Sequence, residues 1–358
     1  MMNRSTHVVG IDLGDTRSVV AGVERATGEV LPHRRVATTP EAMDGLFAQL
    51  PANSLVALET GTHSPWIARI AERHGHTVLV AQARKLRAIW QSDRKSDDAD
   101  ADILCQIALA SPALLSPIRH RREPAHTDLA LLRLRAQVVE ARTGLINSVR
   151  GTLKSLGHRA PKCSAASFHR KAAEGLPESL EGAVLPMLVA IEQLSVAIRC
   201  YDAQIERLAK DEHARATRRM LEVDGVGALT ALAYVLVLDD PTRFRRSRDV
   251  GAYLGLVPRR DQSGESDRQL PISKSGDRLM RRLLVQAAHH ILGPFGKDSD
   301  LRRWGLSHAE RGGKSGKKRT IVAVARRLAV LLHRLWMDDR PYEPLRHAQR
   351  ARADGATA

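Results

Sequence analysis

Residues 7–23 read HVVGIDLGDTRSVVAGV. Two short runs, 7–13 (HVVGIDL) and 17–23 (RSVVAGV), are rich in β-branched residues and are separated by turn residues, the pattern of two strands. Working outward, 29–36 gives a third, poorer strand. Thr39-Pro40 opens a helix through Leu50, with Thr as N-cap and Pro at the first helical position. SLVALE (54–59) is a buried-type strand, Ser64-Pro65 caps a helix that Gly75 ends, HTVLVA (76–81) is a further strand, and a helix runs through Asp97–Ala110. Three strands followed by alternating helix and strand predict an α/β domain over 1–120.

Beyond it the periodicity turns helical. Leu129, Leu132, Ala136, Val139, Ile146, Val149, Leu153 and Leu156 recur mostly three or four apart, and Leu188, Ile191, Leu194, Ile198, Ile205 and Leu208 do the same. Two long amphipathic helices flanking a Gly/Pro/Ser-rich stretch (157–182) predict a helical arm over 121–213, either an antiparallel pair in a plain bundle or a dimerising coiled coil. Residues 214–340 read as an all-α, very basic C-terminal domain. Residues 341–358 are polar and Ala/Arg-rich and are expected to be a disordered tail.

The 358 residues carry a net charge of +16, mostly from an excess of Arg, with 43% apolar and only 3% aromatic residues. Such a surplus attracts polyanions, nucleic acid first, with a ribosomal-type binder or an anionic membrane surface as alternatives. Cys105, Cys163 and Cys200 are scattered and odd in number, which argues against a disulfide framework or a zinc ribbon. The N-terminus has no apolar signal run and no stretch approaches 18 apolar residues, so the expectation is a soluble, cytoplasmic protein, nucleoid-associated when acting.

Concentrated acid stands out against this background. Asp12, in GIDLGD, ends the first predicted strand, and Glu59 ends SLVALE; parallel pairing of those strands would bring the two together. On the helix, Asp97 and Asp100 lie on one face at i, i+3, and Asp98 with Asp102 is a competing pair at i, i+4. Like charges so spaced cost about 0.2–0.5 kcal/mol unless neutralised. Surface turns and a dipole-favoured helix start would also explain these residues. Four carboxylates on two strands and a helix fit a two-metal phosphoryl-transfer site, whose hard oxygens select Mg²⁺ or Mn²⁺, with DNA as the natural substrate of a basic protein.

In the C-terminal region, LEVDGVGALTALAYVLVL (221–238) sets Gly225 and Gly227 before an apolar helix. This is a helix-hairpin-helix-like element whose backbone N–H groups could meet a phosphate, or else a tight turn between core helices. Ser263-Gly264 falls in a polar loop among Arg259, Arg260 and Arg268; a serine needs a base, metal or cations to act as a nucleophile, and by itself this one reads as a turn residue. Lys274-Ser-Gly-Asp opens a helix on which Arg278, Arg281 and Arg282 carry cations suited to phosphate. GGKSGKKR (312–319) fails the P-loop spacing and reads as a flexible basic loop, with Lys314 and Lys317 toward a nucleic-acid backbone. His289-His290 have no partner at metal spacing.

Over nearly the whole chain these pieces resemble one family, the DEDD transposases of bacterial insertion sequences, which include the Piv-type DNA invertases. The resemblance is carried by GIDLG with Asp12, ALETG with Glu59, KSDDADA with Asp97 and Asp100, then LEVDGVGALTA, RFRRSRDVGAYLGLVPRRDQSG and ISKSGDRLMRRLLVQAA, in that order and spacing. It implies a RuvC-like, RNase H-fold domain followed by a serine-containing transposase domain. It implies further that Asp12, Glu59, Asp97 and Asp100 form an acidic tetrad for Mg²⁺ or Mn²⁺, with Asp98 or Asp102 as substitutes, and that Ser263 is a nucleophile. The implied partners are double-stranded DNA, as element ends and target, a noncoding bridge (guide) RNA, and further copies of the chain as a dimer or tetramer through the arm. Three other readings compete. A RuvC-like nuclease or junction resolvase would hydrolyse without serine. A sugar-kinase or actin-like ATPase would need a second Gly-rich phosphate loop, which the sequence lacks. A non-catalytic nucleic-acid binder would tolerate loss of the carboxylates.

Overall fold

The computed structural model describes residues 5–82, 96–264, 266–311, 313 and 316–346. Strands β1 (His7–Asp12) and β2 (Arg17–Glu24) pair antiparallel, and β3 (Val30–Ala37) adds antiparallel to β2. β4 (Leu55–Glu59) and β5 (Thr77–Ala81) then add in parallel on the other side of β1, giving the order β3-β2-β1-β4-β5. The central strands are buried on both faces, which is why they read as apolar runs rather than as alternations.

Two different layers cover the faces. Val9, Ile11, Val56 and Leu58 pack with Met43, Phe47, Ile67 and Ile70 of α1 (Pro40–Gln49) and α2 (Ser64–Arg73). Val8, Leu55, Ala57 and Leu79 pack with Ala101, Leu104, Cys105 and Ala108 of α3 (Asp97–Ala110). The Thr39 hydroxyl accepts from the Ala42 N–H and the Ser96 hydroxyl from the Ala99 N–H, so α1 and α3 both start on side-chain caps. Gly10 decides how close α3 comes: a Cβ there would run into the Ala101 carbonyl oxygen and stand 2.6 Å from the Cys105 N. Burial pushes the Cys105 thiol up to about 11, and its Sγ donates to the Val8 carbonyl, so it is a core group of this packing.

The chain divides into two compact units, Met1–Arg121 and Arg122–Ala358. In the second, α4 (Glu123–Ser155) and α6 (Glu178–Arg207) run antiparallel, with the short α5 (Phe168–Glu174) in the intervening stretch. Their contacts fall into segments. Ile146, Val149 and Leu153 meet Val184, Leu188 and Ile191 at one end; Arg142 reaches the Ser195 hydroxyl (3.2 Å) and Arg135 the Asp202 carboxylate (2.6 Å) midway; Leu129 and Leu132 join Ile205 in the larger core. By length and composition the helical stretch Glu178–Glu212 could cross a membrane, with a mean hydropathy of 1.6 in its most apolar window, although the sequence reading found no such stretch. Its Val184, Leu188, Ile191, Ile198 and Ile205 are instead buried within this unit. The larger core is built around α8 (Ala228–Leu238), enclosed by α7 (Ala214–Leu221), α10 (Arg278–Leu292) and α12 (Gly316–Asp338), and the buried Tyr234 hydroxyl donates to the Ala329 carbonyl at 2.5 Å. Between α8 and α10 lies the short α9 (Asp249–Tyr253), and α11 (Asp300–Arg311) precedes α12.

One expectation fails here. The C-terminal region is not all-α: β6 (Pro258–Ser263) and β7 (Ser266–Ile272) form an antiparallel hairpin. From Arg259 through Gln269 the sequence is polar apart from Gly264, so no period-2 apolar signal marks the hairpin around its turn.

Candidate active site and nucleic-acid surfaces

The parallel register sets Ile11 beside Leu58, so the next residues, Asp12 and Glu59, end neighbouring strands on the same face, about 4.8 Å apart across the sheet. That is the face α3 covers. Cys105 bonds to Val8, and Gly10 lies against Ala101 and Cys105, so α3 runs opposite to β1 and its first turn lies toward the Asp12 end. One helical turn back from Ala101 is Asp97, a rise of about 6 Å, matched by the roughly 6.6 Å from Gly10 to Asp12.

Successive residues advance about 100° round the helix. Asp97 and Asp100 therefore fall on one side of the Ala101 line, and Asp98 and Asp102 on the other. The second side is engaged: Arg35 Nη2 donates to Asp98 Oδ1 (2.8 Å) and Oδ2 (3.0 Å), and His33 Nε2 lies 2.9 Å from Asp102 Oδ1. Both partners are on β3. The competing pair is thereby turned toward the β3 edge, which leaves Asp97 and Asp100 on the side of β1 and β4. Among the described residues, no three His, Cys, Asp or Glu side chains are gathered closely enough to hold a metal ion. The fold brings the four positions to one corner; their side chains do not surround a common point.

The loops at this corner carry residues the sequence reading did not single out. His63 Nε2 lies 3.3 Å from Asp15 Oδ1, joining the loops that follow Asp12 and Glu59, and Thr38 Oγ1 donates to the Gly14 carbonyl. The His33–Arg35 match had a legible signal: residues two apart on a strand and four apart on a helix are spaced almost equally, about 6.6 and 6 Å.

Ser263 sits at the exposed tip of the hairpin, opposite Ser266, with Gly264 turning the chain at φ +55°. Cross-strand pairing puts Asp261 opposite Arg268, and the period-2 alternation places both on the Ser263 face. Arg260 is on the other face, where its fork grips Asp267 through Nε–Oδ1 (2.7 Å) and Nη2–Oδ2 (2.5 Å). This contact raises the Arg260 pKa and lowers that of Asp267. Of the expected phosphate ligands, Arg268 shares the serine's face and Arg260 does not.

Gly225 takes φ +81° in the link between α7 and α8, and Gly227 starts α8 with no side-chain cap, its carbonyl accepting from the Thr230 N–H. Asp224 accepts from the Lys297 N–H and pairs with His290 at 3.4 Å, so His290 anchors this link. Lys274 has φ +55° in a loop packed against Gly255, where a Cβ would stand 2.6 Å from the Ser275 N. Arg281 donates to the Leu254 and Gly276 carbonyls, and burial lowers its pKa, so its guanidinium ties that loop to α10. Arg278, Arg282 and Lys317 are exposed, and Lys314 lies outside the described residues.

Two family profiles match the chain: one described as transposase, of the DEDD IS110 type, over residues 9–158, and one described as transposase IS116/IS110/IS902 family over 217–300. A probable family 20 transposase of Pseudomonas aeruginosa is 30% identical over 302 residues, 83% of this chain and 87% of the relative. The transposase for insertion sequence element IS1111A of Coxiella burnetii is 26% identical across 91% of this chain and 88% of its own length. The pilin gene-inverting protein of Moraxella lacunata is 29% identical over 126 residues, 35% of this chain and 38% of the relative.

Proposed function

The chain belongs to the IS110/IS116/IS902 family of insertion-sequence transposases and is a DNA transposase/recombinase enzyme, and on that premise we propose that it cuts and rejoins DNA with an acidic, metal-holding corner and a serine nucleophile. The observation that carries this reading is the β1–β4 register, which ends two buried strands on adjacent carboxylates beneath the acidic first turn of α3. Three antiparallel strands followed by two parallel ones, in the order β3-β2-β1-β4-β5, support the RNase H-like assignment of 1–120.

Adjacent carboxylates with further acid on the helix above them are a hard-oxygen donor set of the kind Mg²⁺ or Mn²⁺ takes. Asp12, Glu59, Asp97 and Asp100 would hold the ions, which when bound polarise the scissile phosphate and stabilise the charge on the departing oxygen. Arg35 and His33 hold Asp98 and Asp102 away from that role.

The Ser263 Oγ attacks the scissile phosphorus. A serine–phosphate ester forms, the bond to the departing deoxyribose oxygen breaks, and the proton lost by serine is balanced by the one that oxygen takes. A hydroxyl of the joining strand then attacks the phosphoserine, forming the new phosphodiester and returning the proton to Ser263. Arg268, on the serine's face, together with Arg278, Arg282 and the uncapped N-terminus of α8 at Gly227, binds backbone phosphates as a hairpin-borne nucleic-acid module over 214–340. The arm, 121–213, joins copies into a dimer or tetramer. Support comes from an exposed apolar stripe on α6, where Leu185, Val189 and Val196 are 39, 57 and 39% accessible. The net charge of +16 suits a guide RNA as well as DNA.

The deciding experiment compares Asp12→Asn and Ser263→Ala with wild type on a donor–target DNA pair. Strand exchange falls at least about a thousandfold in both, and a covalent protein–DNA adduct is trapped in wild type but not in Ser263→Ala. Cleavage without an adduct would replace serine chemistry by hydrolysis, and normal exchange in either variant would remove that residue's assignment.

A further inference from the structure

We propose that Phe295 is a base-stacking platform: its ring takes one unpaired base of a nucleic-acid strand whose backbone runs along the cationic face of α10. The inference rests on the nucleic-acid-binding part of the proposed function, which assigns phosphates to Arg278, Arg282 and Gly227 and assigns no base.

Phe295 is 84% exposed, the most open of the large apolar side chains among the described residues. Burial of an aromatic ring is favourable, so a ring left in water has to be held there by its backbone. Gly293-Pro294-Phe295-Gly296 follows α10 and is fastened on both sides. Arg302 Nη1 donates to the Ile291 and Gly293 carbonyls, the second at 2.7 Å. The Gly296 N–H donates to the Gly293 carbonyl (3.3 Å), and a Cβ at 296 would run into the Ile291 carbonyl oxygen. The Lys297 N–H donates to Asp224 Oδ2 (2.8 Å), and the Ser299 hydroxyl accepts from the Arg302 N–H (3.2 Å). These bonds fix the loop over the C-terminal end of α10 with the ring turned to solvent.

The surroundings select the ligand. Arg278, Arg282, Gln286 and His289 are exposed and fall within about 80° of one another round α10, a polar, cationic strip that runs toward the loop. The Gly225–Gly227 link packs on the same end of the helix: a Cβ at 225 would stand 3.1 Å from His290 Cδ2 and 3.2 Å from the Ala287 carbonyl oxygen. Lys297 is exposed two residues beyond the ring. The acid nearby is engaged. Asp224 pairs with His290 (3.4 Å), Asp298 with the Arg303 fork (2.9 and 2.6 Å), and Asp277 with Arg133 (3.1 Å).

What remains is a cationic surface with one ring standing in it. A protein partner is matched by an apolar patch of a few hundred Å², and beyond Pro294 the ring's chain neighbours are glycine, lysine and aspartate. Cations along a backbone with an aromatic face for the base is the way single strands are held. Inside a duplex each base is already stacked on its neighbours and offers no free face, so the strand is unpaired where it meets Phe295.

The test titrates the full-length protein with a labelled single-stranded DNA, the same sequence as RNA, and a duplex closed by hairpins at both ends, over a range of salt concentrations. Phe295→Ala should weaken binding of a single strand by about tenfold and leave the salt slope unchanged, because no charge is lost. Arg282→Gln should instead lower the slope by about 0.7. Phe295→Trp should keep the affinity; Phe295→Leu, equally apolar but without an aromatic face, should not. The closed duplex, and a strand that is abasic throughout, should bind wild type and Phe295→Ala alike. Because the ring touches solvent, no Phe295 variant should move the melting temperature. A loss confined to DNA or to RNA identifies the strand, and equal losses on both support a site that reads the base whatever the sugar. Unchanged affinity of Phe295→Ala for both single strands, or an equal loss on the closed duplex, would overturn the proposal. So would slower sedimentation of the free Phe295→Ala protein, which would make the ring a contact between copies. An unchanged slope with Arg278 and Arg282 both replaced by Gln would overturn the path along α10. If Asp12→Asn and Ser263→Ala leave strand exchange normal, the cutting assignments fail, while these titrations still decide the stacking site.

Discussion

Asp12 and Glu59 end strands whose neighbours Val8, Ile11, Leu55 and Leu58 are wholly buried, whereas Ser263 ends a strand exposed from Arg259 onward. In the first region the core enforces the register, because a slip of one residue would turn every apolar side chain of β1 and β4 to the wrong layer. In the second, the turn at Gly264 and cross-strand pairs such as Arg260–Asp267 hold the register with almost no burial behind them. The acidic corner is therefore rigid by construction and the serine is carried on an element free to adapt to a strand. For a reaction that must position a phosphate and then let strands change partners, that division of labour is physically reasonable.

The same substitution made in both regions gives the largest expected contrast. Gly10→Val drives a side chain into the Ala101 carbonyl and forces α3 off the sheet. It should cost about 1–3 kcal/mol of stability, seen as a lower melting temperature of the first unit, and should abolish Mn²⁺ uptake measured by calorimetry. Gly264→Val strains a left-handed position by about 1–2 kcal/mol with open space around it. It should speed amide exchange in the hairpin and leave both the melting temperature and Mn²⁺ uptake unchanged. Equal effects of the two substitutions would break the comparison.

A smaller effect tests how the acidic corner chooses its aspartates. Arg35 and Asp98 are 58 and 40% exposed, so their pairing contributes only about 0.2–1 kcal/mol. Its use lies in orientation. Asp98→Asn should retain strand exchange within a few-fold, while Asp97→Asn should lose it. Arg35→Asp should lower exchange by roughly tenfold, and the swapped double variant Arg35→Asp with Asp98→Arg should restore it. Failure of the swap, with Asp98→Asn inactive, would make Asp98 a metal ligand and move the tetrad.

The contrast also explains what could be read beforehand. The β-branched runs around Asp12 and Glu59, the Thr39 cap, and the helix holding the aspartates were all visible, because burial and capping leave local composition signals. The choice between Asp97/Asp100 and Asp98/Asp102 was not visible. Both pairs suit a helix face, and the decision lies with His33 and Arg35, more than sixty residues away. The hairpin was invisible for the opposite reason: RRDQSG and SDRQ are polar at every position, so neither the strands nor the two-faced placement of Arg260 and Arg268 leaves a pattern. Likewise the close approach of Gly10 to α3 appears in the sequence only as one glycine within a strand run.

The smallest expected effect concerns acid. Asp267 has its pKa lowered by the Arg260 fork, so the pair's contribution to the hairpin is present above the ordinary aspartate range and is lost as pH falls through the depressed folded value. Both side chains are largely exposed, 68 and 47% accessible, so the loss should leave the melting temperature of the larger core unmoved. What should change is local. Amides of the Gln262–Asp267 pair should exchange faster as pH falls below about 3.9, after correction for intrinsic exchange, and an Asp267→Asn variant should lack that pH dependence.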